Sequence, residues 1–146
     1  FHGYSWSTPG VEETLSTLER AGYPLIESES DASLEDLAGI LTRHPRLHVI
    51  SLRTAYTLSR TVFALLAQFP TYHVEFSRFA VHNVVAEVTK RFGPERLVFG
   101  TGMPEWDPGA AMALVTYAQI TPAQRAIVAG DGLRALLRLP AAVEVK

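Results

Sequence analysis

The chain has no cysteine, no long hydrophobic run and no marked excess of charge of either sign. Without cysteine it has no disulfide framework, no thiol nucleophile and no cysteine-held metal, which fits a reducing, cytoplasmic location. No apolar run reaches the roughly 18 residues that a membrane-spanning helix needs. The formal net charge of -2 comes from interspersed charges, which argues against binding to nucleic acid or to a membrane surface.

What the chain does have is a regular alternation of apolar strand segments and amphipathic helices. Its 146 residues, of which 47% are hydrophobic, suffice for one modest domain with a sizeable core. Predicted strands contain Leu25, Val49, His73 and Val98, at a spacing of roughly 25 residues that fits the wall of a (β/α) barrel. We therefore predict an α/β fold of consecutive β-α units with parallel strands, forming either about half of a (β/α)8 TIM barrel or a small open sheet.

We also make predictions for the two ends of the chain. Residues 1–6, "FHGYSW", are a possible fifth strand, and residues 1–139 are predicted as one partial barrel domain followed by a tail at 140–146. Because the chain opens on Phe1, we expect an upstream portion that is removed or supplied separately. Helix boundaries follow local signals, such as Pro9 in a first turn and Gly22 at a helix end.

The segment "RFGPERLVFGTGMP", residues 91–104, resembles the last barrel strand of the amidohydrolase-related family of metal-dependent hydrolases and decarboxylases. The closing segment 126–137 resembles that family's final helices more loosely, through Asp131 and Gly132. The resemblance implies that this chain is the C-terminal half of a family member. The matching positions of the strand are Gly93, Arg96, Phe99, Gly100, Thr101 and Pro104.

The chain departs from this family at the metal site. The family's His-x-His pair is absent, and its next histidine falls on Glu27, Ser28 or Glu29. A further histidine falls near Arg53, and the acid of the last strand falls on Gly102, which has no side chain to bind a metal. The resemblance implies a divalent metal such as zinc, but the ligands expected from the family are not present in this chain, and no residue is assigned as a metal ligand.

Three acids are the predicted catalytic residues. Glu27 and Glu29 lie two apart on a strand and so share a face, where paired carboxylates can act as acid and base. Their alternative is a place in a solvated loop. Glu105 could reach back into the site as an acid, a base or a replacement metal ligand.

Substrate binding is assigned to residues near the carboxyl ends of the strands, where such barrels keep their active sites. Arg53 and Arg78 could bind a carboxylate or phosphate, or could form structural ion pairs, Arg53 with Glu29 or Glu75. Trp106 could wall a ligand pocket or cover a helix.

The other aromatic and histidine candidates are less central. His2 and Tyr4 could lie at the exit of the possible first strand and contact substrate. Asp107 is predicted to cap the helix that begins at Pro108. Four histidines are expected to be structural or exposed: His44, His48, His73 and His82.

The predicted function is a metal-dependent hydrolase or decarboxylase of a small, carboxylated substrate, with a degenerate metal site and no activity in this chain alone. The alternative is an inactive barrel that binds a small anionic ligand or serves as an assembly subunit. The expected partner is the missing N-terminal half or another subunit that completes the barrel.

Overall fold

The computed structural model describes residue 6 and residues 8–28 and 32–140. The four strands are β1 (Leu25–Ser28), β2 (Val49–Leu52), β3 (Tyr72–Glu75) and β4 (Leu97–Val98). The helices are α1 (Pro9–Ala21), α2 (Leu34–Arg43), α3 (Ser59–Gln68), α4 (Val84–Phe92), α5 (Pro108–Thr116), α6 (Pro122–Ala126) and α7 (Gly132–Leu136). Short 3-10 turns occupy Tyr56–Leu58 and Pro94–Arg96, and a segment kinked at Gly130, Ile127–Asp131, joins α6 to α7.

The described strands form one parallel sheet in the order β1-β2-β3-β4. A helix follows each of the first three strands, which confirms the predicted β-α units. The possible fifth strand at residues 1–6 lies outside the described residues, apart from Trp6. None of the helices in 8–28 and 32–140 has the length and apolarity needed to span a bilayer.

The two faces of the sheet have different neighbours. Register pairs Glu27 with Ser51, Ser51 with Val74, and Val74 with Leu97, so these side chains share a face. Val74 and Leu97 belong to the hydrophobic core that the helices complete, and we call this side the helix face. The opposite side, the inner face, carries Ile26, Ile50, His73, Glu75 and Val98, and there Ile26 is 50% exposed.

Local signals set most element boundaries. Pro9 opens α1 and Gly22 ends it with a left-handed φ of 71°. Ser33 and Thr121 each form a capping box at the start of α2 and α6. The predicted strand that contains Val98 has only two residues, since Arg96 belongs to the preceding 3-10 turn and β4 ends at Val98.

The amino ends of the strands are tied together by Arg96, which is buried although it carries a charge. Its Nε donates to the carbonyl oxygen of Tyr72 at 2.8 Å, and its Nη2 donates to the carbonyl oxygens of Leu66 and Phe69 at 3.1 and 2.5 Å. One guanidinium thus satisfies carbonyls at the end of α3 and the start of β3, where a helix leaves carbonyl groups without intrahelical partners.

Candidate functional site

The carboxyl ends of β2, β3 and β4 surround an open cavity of about 240 Å³. This is the edge of a parallel sheet where α/β barrels place their functional groups. Polar and charged side chains supply much of its wall. The lining residues are Leu52, Arg53, Glu75, Ser77, Arg78, Gly100, Gly102, Met103, Glu105 and Trp106.

Arg53 and Glu105 form a bidentate ion pair at the mouth of this cavity. Nη1 of Arg53 donates to Oε1 of Glu105 at 3.0 Å, and Nη2 donates to Oε2 at 2.5 Å. The side chains are 49% and 51% exposed, so the pair faces solvent. Arg53 has a left-handed φ of 61° immediately after β2. The sequence predicted Glu29 or Glu75 as the structural partner of Arg53. The prediction of Glu75 was wrong, because the guanidinium pairs with Glu105.

Glu75 is the buried acid of the site. It ends β3 on the inner face, and its carboxylate accepts the backbone N–H of Ser77 at 2.6 Å and the Ser77 hydroxyl at 2.9 Å. A Cβ atom on Gly100 would lie 2.5 Å from Oε1 of Glu75, so only glycine leaves room for this carboxylate. From the sequence, Glu75 was placed at the carboxyl ends of the strands, but it was assigned no role other than pairing with arginine. Its two-residue spacing from His73 in a wholly buried strand was the available signal.

The loop after β4 places an indole where a side chain of residue 102 would lie. Gly102 has a φ of 71°, and its carbonyl oxygen accepts the backbone N–H groups of Glu105 and Trp106, both at 3.1 Å. The guanidinium carbon of Arg78 lies 5.2 Å from the Trp106 ring centroid, within cation–π range. Arg78 and Trp106 thus form one wall of the cavity.

Glu27, another acid predicted as catalytic, is not among the residues that line this cavity. Glu27 is on the helix face, 4% exposed, and accepts a hydrogen bond from the Ser51 hydroxyl. The alternative of a solvated position is therefore wrong for Glu27, and its catalytic role stays a prediction. Glu29, His2 and Tyr4 lie outside the described residues. Asp107 accepts the N–H of Gly109 at 2.7 Å, which confirms it as the cap of α5.

Three histidines take part in internal hydrogen bonds. His44 contacts Oε1 of Glu12 at 2.8 Å. Nδ1 of His73 lies 2.9 Å from the carbonyl oxygen of Glu95, and Nε2 of His73 lies 2.9 Å from Nδ1 of His48. These contacts agree with the structural role expected of the three.

Burial sets the charge of the His73 ring, and its hydrogen bonds set which nitrogen carries the proton. Burial, opposed by the hydrogen bond to the Glu95 carbonyl, lowers the pKa of His73 from 6.5 to about 4, so the ring is neutral at pH 7. Because a carbonyl only accepts, Nδ1 of His73 carries the proton and Nε2 accepts from Nδ1–H of His48. Burial also lowers the pKa of His48.

A larger cavity, of about 780 Å³, lies at the opposite, amino end of the strands. This is not the end of the strands where such barrels place functional groups, and two of its charged side chains are engaged by the backbone. The backbone N–H of Arg46, 2.9 Å from Oε1 of Glu19, lowers the pKa of that acid, and Arg138 donates to the carbonyl oxygen of Ala21 at 3.0 Å. We therefore take the smaller cavity at the carboxyl ends as the candidate functional site.

The described residues do not fit a metal centre. Among them, no three His, Cys, Asp or Glu side chains are placed to hold an ion together. At the candidate site, both carboxylate oxygens of Glu105 accept hydrogen bonds from Arg53, and the carboxylate of Glu75 accepts two from Ser77. A guanidinium cannot ligate a cation, because it has no acceptor atom.

Comparisons with known proteins agree with this architecture. A family model described as "Amidohydrolase" matches residues 1–139. No curated protein matches the chain by sequence.

Similar solved structures share the fold at low sequence identity. A 2,6-dihydroxybenzoate decarboxylase from Rhizobium has a TM-score of 0.69 and 14% identity, with 91% of this chain and 56% of that chain covered. A 5-carboxyvanillate decarboxylase from Sphingomonas paucimobilis has a TM-score of 0.68 and 13% identity, with 95% and 56% covered. "Amidohydrolase 2" from Bifidobacterium longum subsp. infantis has a TM-score of 0.69 and 16% identity, with 96% and 59% covered.

The chain therefore spans little more than half the length of these solved structures. This coverage agrees with four parallel β-α strands that form part of a TIM barrel. The family match shows that the chain belongs to the amidohydrolase family, and the fold agrees with this.

Proposed function

We propose that this chain contributes a binding site for the carboxylate of a small molecule, located in the cavity at the carboxyl ends of β2, β3 and β4. The observation that carries the proposal is the half-exposed guanidinium of Arg53 at the mouth of that cavity. Planar guanidinium groups match carboxylates in charge and geometry, and they hold them through paired N–H donors.

The ion pair with Glu105 leaves Arg53 able to bind a ligand. Arginine has about five N–H donors, and the pair uses two of them, one on Nη1 and one on Nη2. The remaining donors are free of Glu105, while the carboxylate of Glu105 keeps the guanidinium in one orientation. Arg78, stacked on Trp106, supplies a second positive charge on the same cavity wall.

Catalysis by the whole protein is the second candidate function. The family match favours hydrolysis or decarboxylation of a small carboxylated substrate, and two of the similar structures are named as decarboxylases of carboxylated compounds. In this proposal, Arg53 orients the substrate, and the buried carboxylate of Glu75 is an additional acid or base beside it. Roles for Glu27, Glu29 and Glu105 in proton transfer remain predictions of the sequence.

Completion of the barrel belongs to the same proposal. Among the described residues, β4 pairs with a strand on one side alone, and its other edge would be covered by the remaining half of a family member or by another subunit. Such a partner would also close the inner face, where Ile26 is half exposed.

The binding proposal is tested by calorimetric titration with benzoate, with the uncharged benzamide as the matched ligand. We expect benzoate to bind and benzamide not to. Arg53→Met should weaken benzoate binding at least tenfold, about 1.4 kcal/mol, through loss of a charge-assisted pair. Arg60→Met, which removes an exposed guanidinium of α3, is the control and should leave the affinity unchanged.

Equal affinity of wild type and Arg53→Met for benzoate would contradict the binding proposal. The catalytic candidate is tested separately, by assaying the full-length protein for release of carbon dioxide from carboxylated aromatic acids and for hydrolysis of their amides. Binding without turnover of either kind would leave binding as the function of the site.

A further inference from the structure

The space beside Gly102 is already filled. A Cβ atom added there would lie 2.9 Å from Cδ1 of Trp106, 3.2 Å from Cβ of Trp106 and 3.3 Å from Oγ of Ser77. The left-handed φ of 71° adds strain for any L side chain. Position 102 is where the resemblance to the amidohydrolase family leads one to expect the acid of a metal site.

Rotating the indole away would not clear this space. The contact at 3.2 Å is made by the Cβ atom of Trp106, whose position follows from the backbone. That backbone is held by the N–H groups of Glu105 and Trp106, both bonded to the Gly102 carbonyl at 3.1 Å. An acid at position 102 would therefore require the indole to move aside and the backbone-held Cβ atom of Trp106 to shift as well.

The same turn brings a positive charge into the site. Glu105, within the turn, holds the guanidinium of Arg53 through two hydrogen bonds. Arg53 itself stands near the position at which the family resemblance leads one to expect a histidine ligand. A fixed guanidinium repels a metal cation at close range and attracts a carboxylate.

We infer that this site holds its carboxylate ligand without a metal ion, because Trp106 fills the space that an acid at position 102 would need and the guanidinium of Arg53 supplies the positive charge. The inference rests on the proposed carboxylate binding and specifies how it is achieved. Trp106 then becomes the wall against which the apolar part of the ligand packs, with Arg78 behind the indole.

The test uses Trp106 as a local reporter. The chain has two tryptophans, so Trp6→Phe leaves Trp106 as the only one. Bound Co²⁺ quenches an indole within a few ångströms, and a metal ion held beside position 102 would lie at that range. Trp106→Phe, which leaves Trp6, measures quenching by ions bound elsewhere.

The cobalt arm decides whether the site takes a metal ion. We expect the emission of Trp106 to show no saturable quenching by Co²⁺ beyond that of Trp6. Stoichiometric quenching of Trp106 that Zn²⁺ reverses would overturn the inference. A double variant with Gly102→Asp and Trp106→Gly removes both contacts made by residue 106 and introduces an acid, and it should bind Co²⁺ more tightly than Gly102→Asp alone, as followed by cobalt absorption; equal affinity of the two variants would overturn the inference that Trp106 keeps an acid out.

The benzoate arm decides whether binding depends on a metal. We expect benzoate to change the emission of Trp106 with the same midpoint, within twofold, in EDTA and in Zn²⁺. A response that appears only with Zn²⁺ would overturn the inference. If benzoate gives no response in either condition, the proposed carboxylate binding fails, while the cobalt arm still decides whether the site excludes a metal.

Discussion

The two ends of the sheet hold charged side chains in contrasting ways. At the amino ends, Arg96 is 6% exposed and donates to three backbone carbonyls. At the carboxyl ends, Arg53 is 49% exposed and pairs with a side chain that is itself 51% exposed. The guanidinium of Arg96 binds the backbone, whereas that of Arg53 faces a cavity.

This contrast separates charges that stabilise the fold from charges that can serve a ligand. Removing a buried donor leaves its acceptors without partners inside the protein, which costs more than breaking an ion pair in water. We therefore expect substitutions at the amino ends to lower stability and substitutions at the carboxyl ends to alter binding.

Substituting Arg96 should have the largest effect. Arg96→Met removes a donor from the carbonyls of Leu66, Phe69 and Tyr72, of which Phe69 keeps the N–H of Tyr72, and it should lower the free energy of unfolding by about 3 kcal/mol. Urea unfolding followed by circular dichroism measures this. Arg60→Met on the surface of α3 is the control and should change stability by less than about 0.5 kcal/mol. If both variants lower the free energy of unfolding equally, the proposed difference between the two ends of the sheet is wrong.

Acidification should act on the amino ends through His73. Its folded pKa of about 4 is below the unfolded value of 6.5, so the unfolded state binds more protons between these two pH values. The resulting stability is fully present above pH 6.5 and is lost as the pH falls towards 4, by up to about 3 kcal/mol.

Urea unfolding at several pH values between 4 and 7 measures this loss. His73→Asn, which keeps a donor for the Glu95 carbonyl but does not titrate, should flatten the dependence. An equally steep dependence in the variant would assign the loss to other groups.

Gly102 tests the rigidity of the carboxyl-end loop. Gly102→Ala should lower the free energy of unfolding by about 2 kcal/mol, since the alanine meets Trp106 and must adopt a positive φ. Gly10→Ala is the matched control, because a Cβ atom at Gly10 has nothing within 4 Å. That control should be neutral or slightly stabilising in α1. Thermal unfolding of wild type and both variants measures these changes in stability.

Breaking the Arg53–Glu105 pair should have the smallest effect on stability. The pair is exposed, and each single substitution, Arg53→Met or Glu105→Gln, should cost less than about 1 kcal/mol. A double-mutant cycle by urea unfolding gives the coupling energy. A coupling of several kcal/mol would show that the pair serves the fold rather than a ligand.

Local features were predictable from the sequence because their causes are local. The β-α rhythm, the cap at Asp107 and the end of α1 at Gly22 depend on neighbouring residues alone. The ion pair of Arg53 with Glu105 joins residues that are 52 positions apart, and no local sequence pattern predicts it.

The orientation of single strand residues was harder to predict. Glu27 and Glu75 both lie at strand ends, but the register places Glu27 on the helix face and Glu75 on the inner face. Two-residue alternation predicts which side chains share a face, but it does not say which face lines the site. For this reason the sequence favoured Glu27 and missed Glu75.

The most direct test of this account is the free energy of unfolding of wild type and Arg53→Met, each measured without and with saturating benzoate. A ligand that binds only the folded state stabilises it by an amount set by its concentration and affinity. We predict nearly equal stability without benzoate, and stabilisation by benzoate in wild type but not in Arg53→Met. Equal stabilisation of both proteins, or a loss in Arg53→Met as large as that in Arg96→Met, would contradict the account.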